Sequence, residues 1–169
     1  MISLFIDTSL SDVSIALLKD GKLLSCIHNN IPGEHSVYVS KYIEDILENN
    51  NKSSDDVNEI IVVNGPGSFT GIRIGVTIAK ICAYLKKIRI VTITSLQARA
   101  IGNNSKYILS LIDAKHDNYY VGLYDSKYNK ITEEFASIDK VEELKEKYNP
   151  LVVTPDNNYN IEEIVEYTK

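Results

Sequence analysis

The chain is poor in the residues that build disulfide and metal frameworks. It has two cysteines, Cys26 and Cys82, which lie in apolar stretches and form no CxxC pair. They are therefore read as reduced, buried thiols of a cytosolic protein. Its three histidines, His28, His35 and His116, fall into no HxxxH, HxH or Cys/His set, so a zinc-type site has no ligand pattern to rest on. Long basic runs are also missing. The densest group is Lys86-Lys87-Ile88-Arg89, at an expected helix end where it complements the dipole, and the net charge is -5. A broad nucleic-acid-binding surface is not favoured by that balance. No apolar run is long enough to span a membrane. The N-terminal MISLFIDTSLSD has no basic leader region and reaches Asp7 too early for a signal peptide.

What is present is an α/β pattern. At 169 residues and 44% hydrophobic the chain can bury a real core. Strands are expected over 2–7, 13–18 and 23–31, with an Asp20-Gly21 hairpin turn between the last two and a stop at Pro32-Gly33. A helix follows over 36–48, then a strand over 60–63, a glycine turn and a second helix. A strand over 89–94 and a short helix over 95–101 complete the first half. The polar break Gly102-Asn103-Asn104-Ser105 divides the chain into units 1–102 and 103–169. The second half opens in the same order: strands over 106–113, 119–124 and 130–136, a helix capped by Asp139, a strand over 151–154 and a last helix over 161–167. Ile6-Asp7 is answered by Ile112-Asp113, and Ile15-Ala16-Leu17 at the same offset by Val121-Gly122-Leu123. Duplication of a mixed sheet with helices on its faces accounts for this order. The second copy has no counterpart of the 89–94 strand or of the helix after it.

The most informative stretch is IIVVNGPGSFTGIRIGVTIAKICAYL, residues 60–85. Gly65-Pro66-Gly67 breaks the strand, and Ser68 or Thr70 can cap the helix. Such a turn can cradle an anion, but no Gly-Lys-Ser/Thr follows and the spacing is not GxGxxG. On a helical wheel Ile74, Ile78, Ile81 and Leu85 lie together and are expected to face the sheet. Gly71, Gly75, Ala79 and Cys82 form a strip of small residues beside them, and Ile72, Val76 and Ala83 extend the apolar arc. The arc covers roughly 220°, about twice the stripe of a helix buried on one side. Part of it can be filled from the 36–48 helix by Tyr38, Val39 and Tyr42. Alternatively the two helices together present a protein interface, because small residues four apart let another helix approach closely.

Catalytic constellations are sparse. Glu34-His35-Ser36 suits a helix start better than a general base. Asp7 and Asp113 each end a strand and would face each other across a two-lobed cleft, where they could hold a magnesium–phosphate group. An actin-like ATPase or kinase using Asp7, the Gly65–Gly71 turn and Asp113 is therefore the enzymatic alternative. No GxSxG elbow surrounds Ser68, and nothing supports hydrolysis of peptides.

With these residues in view, the chain resembles the TsaB (YeaZ) family. The segments that carry the likeness are FIDTSLSDVSIALL, EHS before the first helix, VNGPGSFTGIRIGVTIAK with TSLQA after it, and IDAKHDNYYVGLYD. The resemblance implies a duplicated actin-like, ribonuclease-H-like (ASKHA) α/β fold of two mixed-sheet lobes. It implies a non-catalytic dimerisation and activating subunit for a TsaD-type transferase that makes threonylcarbamoyladenosine beside the tRNA anticodon. A TsaE-like ATPase is the further partner, a homodimer is expected when the chain is alone, and any tRNA contact is indirect or weak. No cofactor is expected on this subunit alone, with ATP and metal on its partners, in the cytoplasm. TsaD-like proteins carry two histidines four apart after the strand following the glycine loop; here those positions are Ser95 and Arg99, neither a usual metal ligand. The partner interface implied on the two helices comprises Val39, Tyr42, Ile43, Gly71, Ile72, Gly75, Val76, Ala79 and Ala83. Asp7, Gly65, Gly67 and Ser68 would be a vestigial phosphate loop. The chain is shorter than typical members at its C-terminal end, so a shortened second lobe is expected.

Overall fold

The computed structural model describes residues 1–30, 35–156 and 159–169. The expected strand end at Pro32-Gly33, the Asn157-Asn158 loop and the Glu34-His35-Ser36 cap rest on residues or side chains outside that set. The first sheet begins as an antiparallel meander of β1 (Ile2–Asp7), β2 (Asp12–Lys19) and β3 (Lys22–Asn30). Asp20 and Gly21 turn the hairpin with φ of 54° and 83°, the left-handed pair that matches strand twist. β4 (Glu59–Val63) and β5 (Arg89–Ile93) then run parallel to β1, giving the order β3-β2-β1-β4-β5. β1 and β4 are covered on both faces, which is why they read as unbroken apolar runs.

Side chains alternate between the two coverings. Leu4, Ile6, Ile15, Leu17, Ile60 and Val62 meet α1 (His35–Asn49) and α2 (Phe69–Lys86) on the outer face. Phe5, Ala16, Leu18, Ile61 and Val63 point the other way, towards α3 (Ser95–Ala100) and α5 (Ile161–Tyr167). The second sheet, ordered β8-β7-β6-β9, comprises β6 (Tyr107–Asp113), β7 (Asn118–Asp125), β8 (Lys130–Ser137) and the short β9 (Leu151–Val153). Its outer face, Leu109, Leu111, Val121 and Leu123, takes Val141 and Leu144 of α4 (Ile138–Tyr148). α3 is shared between the sheets: Ala98 and Ile101, just past its end, join the first core, whereas Leu96 and Ala100 join Ile108, Ile112 and Tyr124 of the second. Burying a side chain the size of Leu96 or Ile101 contributes about 1.5–3 kcal/mol, so this short helix is held by both lobes rather than by its own propensity.

Three expectations need correction. Asp139 does not cap α4; the cap position is Ser137, which makes no side-chain bond there, and Asp139 lies in the first turn, where its charge suits the dipole. Cys26 is exposed and Cys82 only half-buried, because β3 is an edge strand and Cys82 lies on the flank of α2. The helix missing from the second copy is present. α5 follows the last strand of its lobe, as α3 does, and its buried Ile164 and Val165 pack on the first sheet's inner face. Among the described residues the second half has no equivalent of α2 and β5: α5 is the next element after β9. The strand order, with one antiparallel meander and parallel additions in each sheet, is the duplicated ribonuclease-H-like, actin-like arrangement.

Candidate functional site

The orientation of α2 decides what the expected interface can do. Its buried residues are Gly71, Gly75, Ala79 and Ala83, and they face the chain's own sheet. A Cβ on Gly71 would stand 2.1 Å from the Thr8 carbonyl oxygen, and one on Gly75 would stand 2.3 Å from Thr8 Oγ1. The Thr8 hydroxyl donates to the Gly71 carbonyl at 2.7 Å. The backbone admitted by the small residues is therefore the end of β1, not a partner helix. Val39 is fully buried in the same core, Ile43 and Val76 pack against it, and Ile72 approaches the glycine turn. Tyr42 stacks on Tyr38 and accepts a hydrogen bond from Asn29 Nδ2. The interface cannot consist of Val39, Gly71, Gly75, Ala79 and Ala83, because each is already enclosed.

The large residues of α2 divide between the core edge and the outside. Ile74 and Ile78 are half-buried along the groove with α1, lined also by Ser40, Thr70, Arg73 and Thr77. Beyond them Ile81, Leu85 and Tyr84 are 52, 70 and 83% exposed. Phe69 at the start of α2, beneath the Arg73 guanidinium at 5.2 Å, and Val37 on α1 are exposed as well. Of the four residues that sequence periodicity assigns to the sheet, Ile74 and Ile78 do pack partly against the core, whereas Ile81 and Leu85 form an exposed apolar flank. The signal was the four-residue spacing of Ile74, Ile78, Ile81 and Leu85, which puts Ile81 and Leu85 on the wrong side of the helix.

The glycine turn is closed by its own chain. A Cβ on Gly67 would lie 2.0 Å from the Ser9 carbonyl oxygen, which accepts the Ser68 N–H at 2.6 Å. Ser68 Oγ accepts the Gly71 N–H as N-cap, and the Gly65 carbonyl takes the Ser95 N–H. Two of the amides that could grip a phosphate, those of Ser68 and Gly71, are therefore engaged within the protein. Ser95 Oγ donates to the Pro66 carbonyl, and Arg99 Nη1 donates to the Ser95 carbonyl. Neither position offers a metal ligand.

Asp7 and Asp113 do not face each other. Ile6 pairs with Ile15 across β1 and β2, whereas Val121, at the expected offset from Ile15, pairs with Leu111 rather than Ile112. That one-residue change of register reverses the faces of β6 relative to β1. Asp7 consequently points between the lobes, where it accepts the Ser9 N–H on Oδ1 and the Tyr159 hydroxyl on Oδ2 at 2.9 Å. Desolvation, then the Asp7 charge, holds the Tyr159 phenol well above its ordinary pKa. Asp113 lies on the α4 side, where the Lys115 backbone and side chain bind it and keep its carboxyl below the usual range. Its place on the inner face is taken by Ile112. Among the described residues no cluster of His, Cys, Asp and Glu could hold a metal ion, and no helix is long and apolar enough to cross a membrane.

Comparison with known proteins can now be set beside this geometry. Residues 30–164 match the family model described as TsaD: tRNA N6-adenosine threonylcarbamoyltransferase. The tRNA threonylcarbamoyladenosine biosynthesis protein TsaB of Bacillus subtilis (strain 168) is 34% identical over 90% of this chain and 69% of its own length. The protein of the same name from Escherichia coli (strain K12) is 32% identical over 88% of this chain and 66% of its own. The chain thus spans about two thirds of the length of these curated relatives. The solved structure of YeaZ from Pseudomonas aeruginosa superposes with a TM-score of 0.78, covering 99% of this chain and 91% of that one at 21% identity, a likeness that establishes the fold. With a third of its residues identical to the Bacillus protein over most of both chains, this chain belongs to the TsaB (YeaZ) family.

Proposed function

We propose that the chain is a non-catalytic subunit that binds and activates a TsaD-type transferase in tRNA threonylcarbamoyladenosine biosynthesis, through the outer flank of α1 and α2. The observation that carries the reading is the apolar stripe Ile74, Ile78, Ile81 and Leu85, with Tyr84 and Phe69 beside it, on a helix whose other side is already packed. A surface helix with its core side filled gains nothing from large exposed apolar residues unless a partner covers them. The names of the relatives supply the pathway, and the matching family model carries the transferase's name, which supports pairing between proteins of one fold. The same flank serves a homodimer when the transferase is absent. A TsaE-like ATPase joins the assembly, ATP and metal sit on the partners, tRNA contact through this subunit is indirect or weak, and the setting is the cytoplasm. The ATPase or kinase alternative is not proposed: the glycine turn is tied to Ser9 and Asp113 lies on the opposite side of its sheet.

Co-purification with a TsaD-like protein from the same source, read by mass, tests the proposal. Wild type is expected to form a complex, and the pair Ile81→Glu with Leu85→Glu is expected to weaken it at least tenfold while remaining folded. A folded double variant that binds as tightly as wild type would falsify the assignment.

A further inference from the structure

Between the first sheet, Arg99 of α3 and residues Pro155, Asp156 and Tyr159 lies a cavity of about 450 Å³. Its wall contains a buried cation that makes no direct ion pair among the described residues. Arg99 is 5% exposed. Its Nη1 donates to the Ser95 carbonyl at 2.9 Å and its guanidinium lies 5.3 Å from the centre of the Tyr159 ring. Nε has no hydrogen-bond partner, and among the described residues no carboxylate makes an ion pair with this side chain. A buried guanidinium left in that state is costly, and such groups are normally paired. The same cavity is lined by the carboxylates of Asp7, Asp12 and Asp156, with Ser14 and His28 between them. Asp7 is 4% exposed, and its donors among the described residues are neutral, the Ser9 N–H and the Tyr159 hydroxyl.

One unpaired cation opposite several carboxylates is a poor seat for a polyphosphate, whose charge the carboxylates oppose. It suits a molecule that carries one negative and one positive group. We propose that the cavity binds a small zwitterion of the α-amino-acid class, its carboxylate on Arg99 and its ammonium towards Asp7, Asp12 and Asp156. Nε is enclosed by the protein and Nη1 donates to Ser95, so the carboxylate would be held by the remaining Nη2 edge of the permanently charged guanidinium. The proposal stands independently of the outer flank of α1 and α2, because no residue is common to the two surfaces.

Titration calorimetry on the full chain tests it, with the standard L-amino acids added singly and with acetate, ethanolamine and magnesium ATP as comparison probes. At least one amino acid is expected to bind with a Kd below about 1 mM, and at least tenfold more tightly than acetate or ethanolamine, each of which lacks one of the two charges. Arg99→Gln is expected to weaken that binding at least tenfold. Should Arg99→Gln fail to fold, Asp12→Asn decides: it is expected to weaken amino-acid binding about threefold or more without affecting acetate. The proposal is overturned if the folded protein gives no heat with any amino acid at 10 mM, or if magnesium ATP binds where amino acids do not. It is equally overturned if a folded Arg99→Gln binds as wild type does, or if Asp12→Asn, standing in for an unfolded Arg99 variant, leaves amino-acid binding unchanged.

Discussion

In the first lobe, β4 is followed by α2 and β5 before the chain reaches α3; in the second, α5 is the next described element after β9. Two helices therefore cover the outer face of the first sheet, whereas α4 alone covers that of the second. The contrast bears on function. α2 is pressed so closely on β1 that only small residues fit directly beneath it; Ile74 and Ile78 pack along its edge, and Ile81, Tyr84 and Leu85 are left on the outer flank. The second lobe has no such helix. Its β9 leaves Leu151 and Val152 partly exposed at a sheet edge, with no matching apolar stripe on a helix above it. The first lobe is thus built to present a helix surface, and the second mainly closes the cavity and buries α3.

The largest expected effect breaks the close approach of α2. Gly75→Leu should lower unfolding free energy by about 3 kcal/mol or more in denaturant titration, because its new side chain meets Thr8 and the sheet. A variant of wild-type stability would mean that α2 does not sit as described. A smaller effect is expected at the corresponding position pair Ala16 and Gly122, equally placed on β2 and β7. Alanine is accommodated in the first lobe, but at Gly122 a Cβ would lie 2.6 Å from Tyr124 Oη and 3.0 Å from Leu96 Cβ. Gly122→Ala should therefore cost about 1–3 kcal/mol, read from the same titration, and a neutral result would show that the Tyr124 ring moves aside freely.

Alkaline stability should depend on Tyr124 in the second lobe, as well as on Tyr159 against the first. Where the first lobe buries Leu18, the second buries Tyr124, and burial followed by the hydrogen bond to Glu133 raises its phenol far above the ordinary value of 10.0. A raised folded-state pKa gives stability that is complete below the unfolded value and is lost as pH climbs beyond it. Stability should accordingly fall above about pH 10, and Tyr124→Phe should flatten that decline. An unchanged pH profile in the variant would remove Tyr124 as its cause. The smallest expected effect belongs to the outer flank: Ile81→Glu and Leu85→Glu should each change stability by no more than about 0.5 kcal/mol, as exposed substitutions do. A larger loss would place those side chains inside the core.

Much of this architecture was legible in the sequence, and its failures have physical causes. Continuous β-branched runs, the Asp20-Gly21 turn and the Ser68 cap located β1, β4, β3 and α2 because each depends on local chemistry. The facing of α2 was misread because periodicity ranks side chains by hydrophobicity, whereas the packing distance to β1 selected them by size. Asp113 was placed opposite Asp7 because a shared Ile-Asp ending is visible in the sequence and a one-residue change of strand register is not. The family resemblance pointed to the α1 and α2 pair but could not say which of their side chains are exposed. Arg99 drew attention only as the position of an absent histidine. Its burial without a direct ion pair among the described residues depends on the meeting of α3, β1 and the segment before α5, which no local pattern records.

The measurement that bears most directly on the outer flank is hydrogen–deuterium exchange of the full chain with and without a bound TsaD-like protein. Protection is expected in α1 and α2, strongest over residues 74–85, with β7, β8 and α4 unchanged. Protection confined to the second lobe, with α2 exchanging as in the free protein, would contradict the assignment of the first lobe as the partner-binding one.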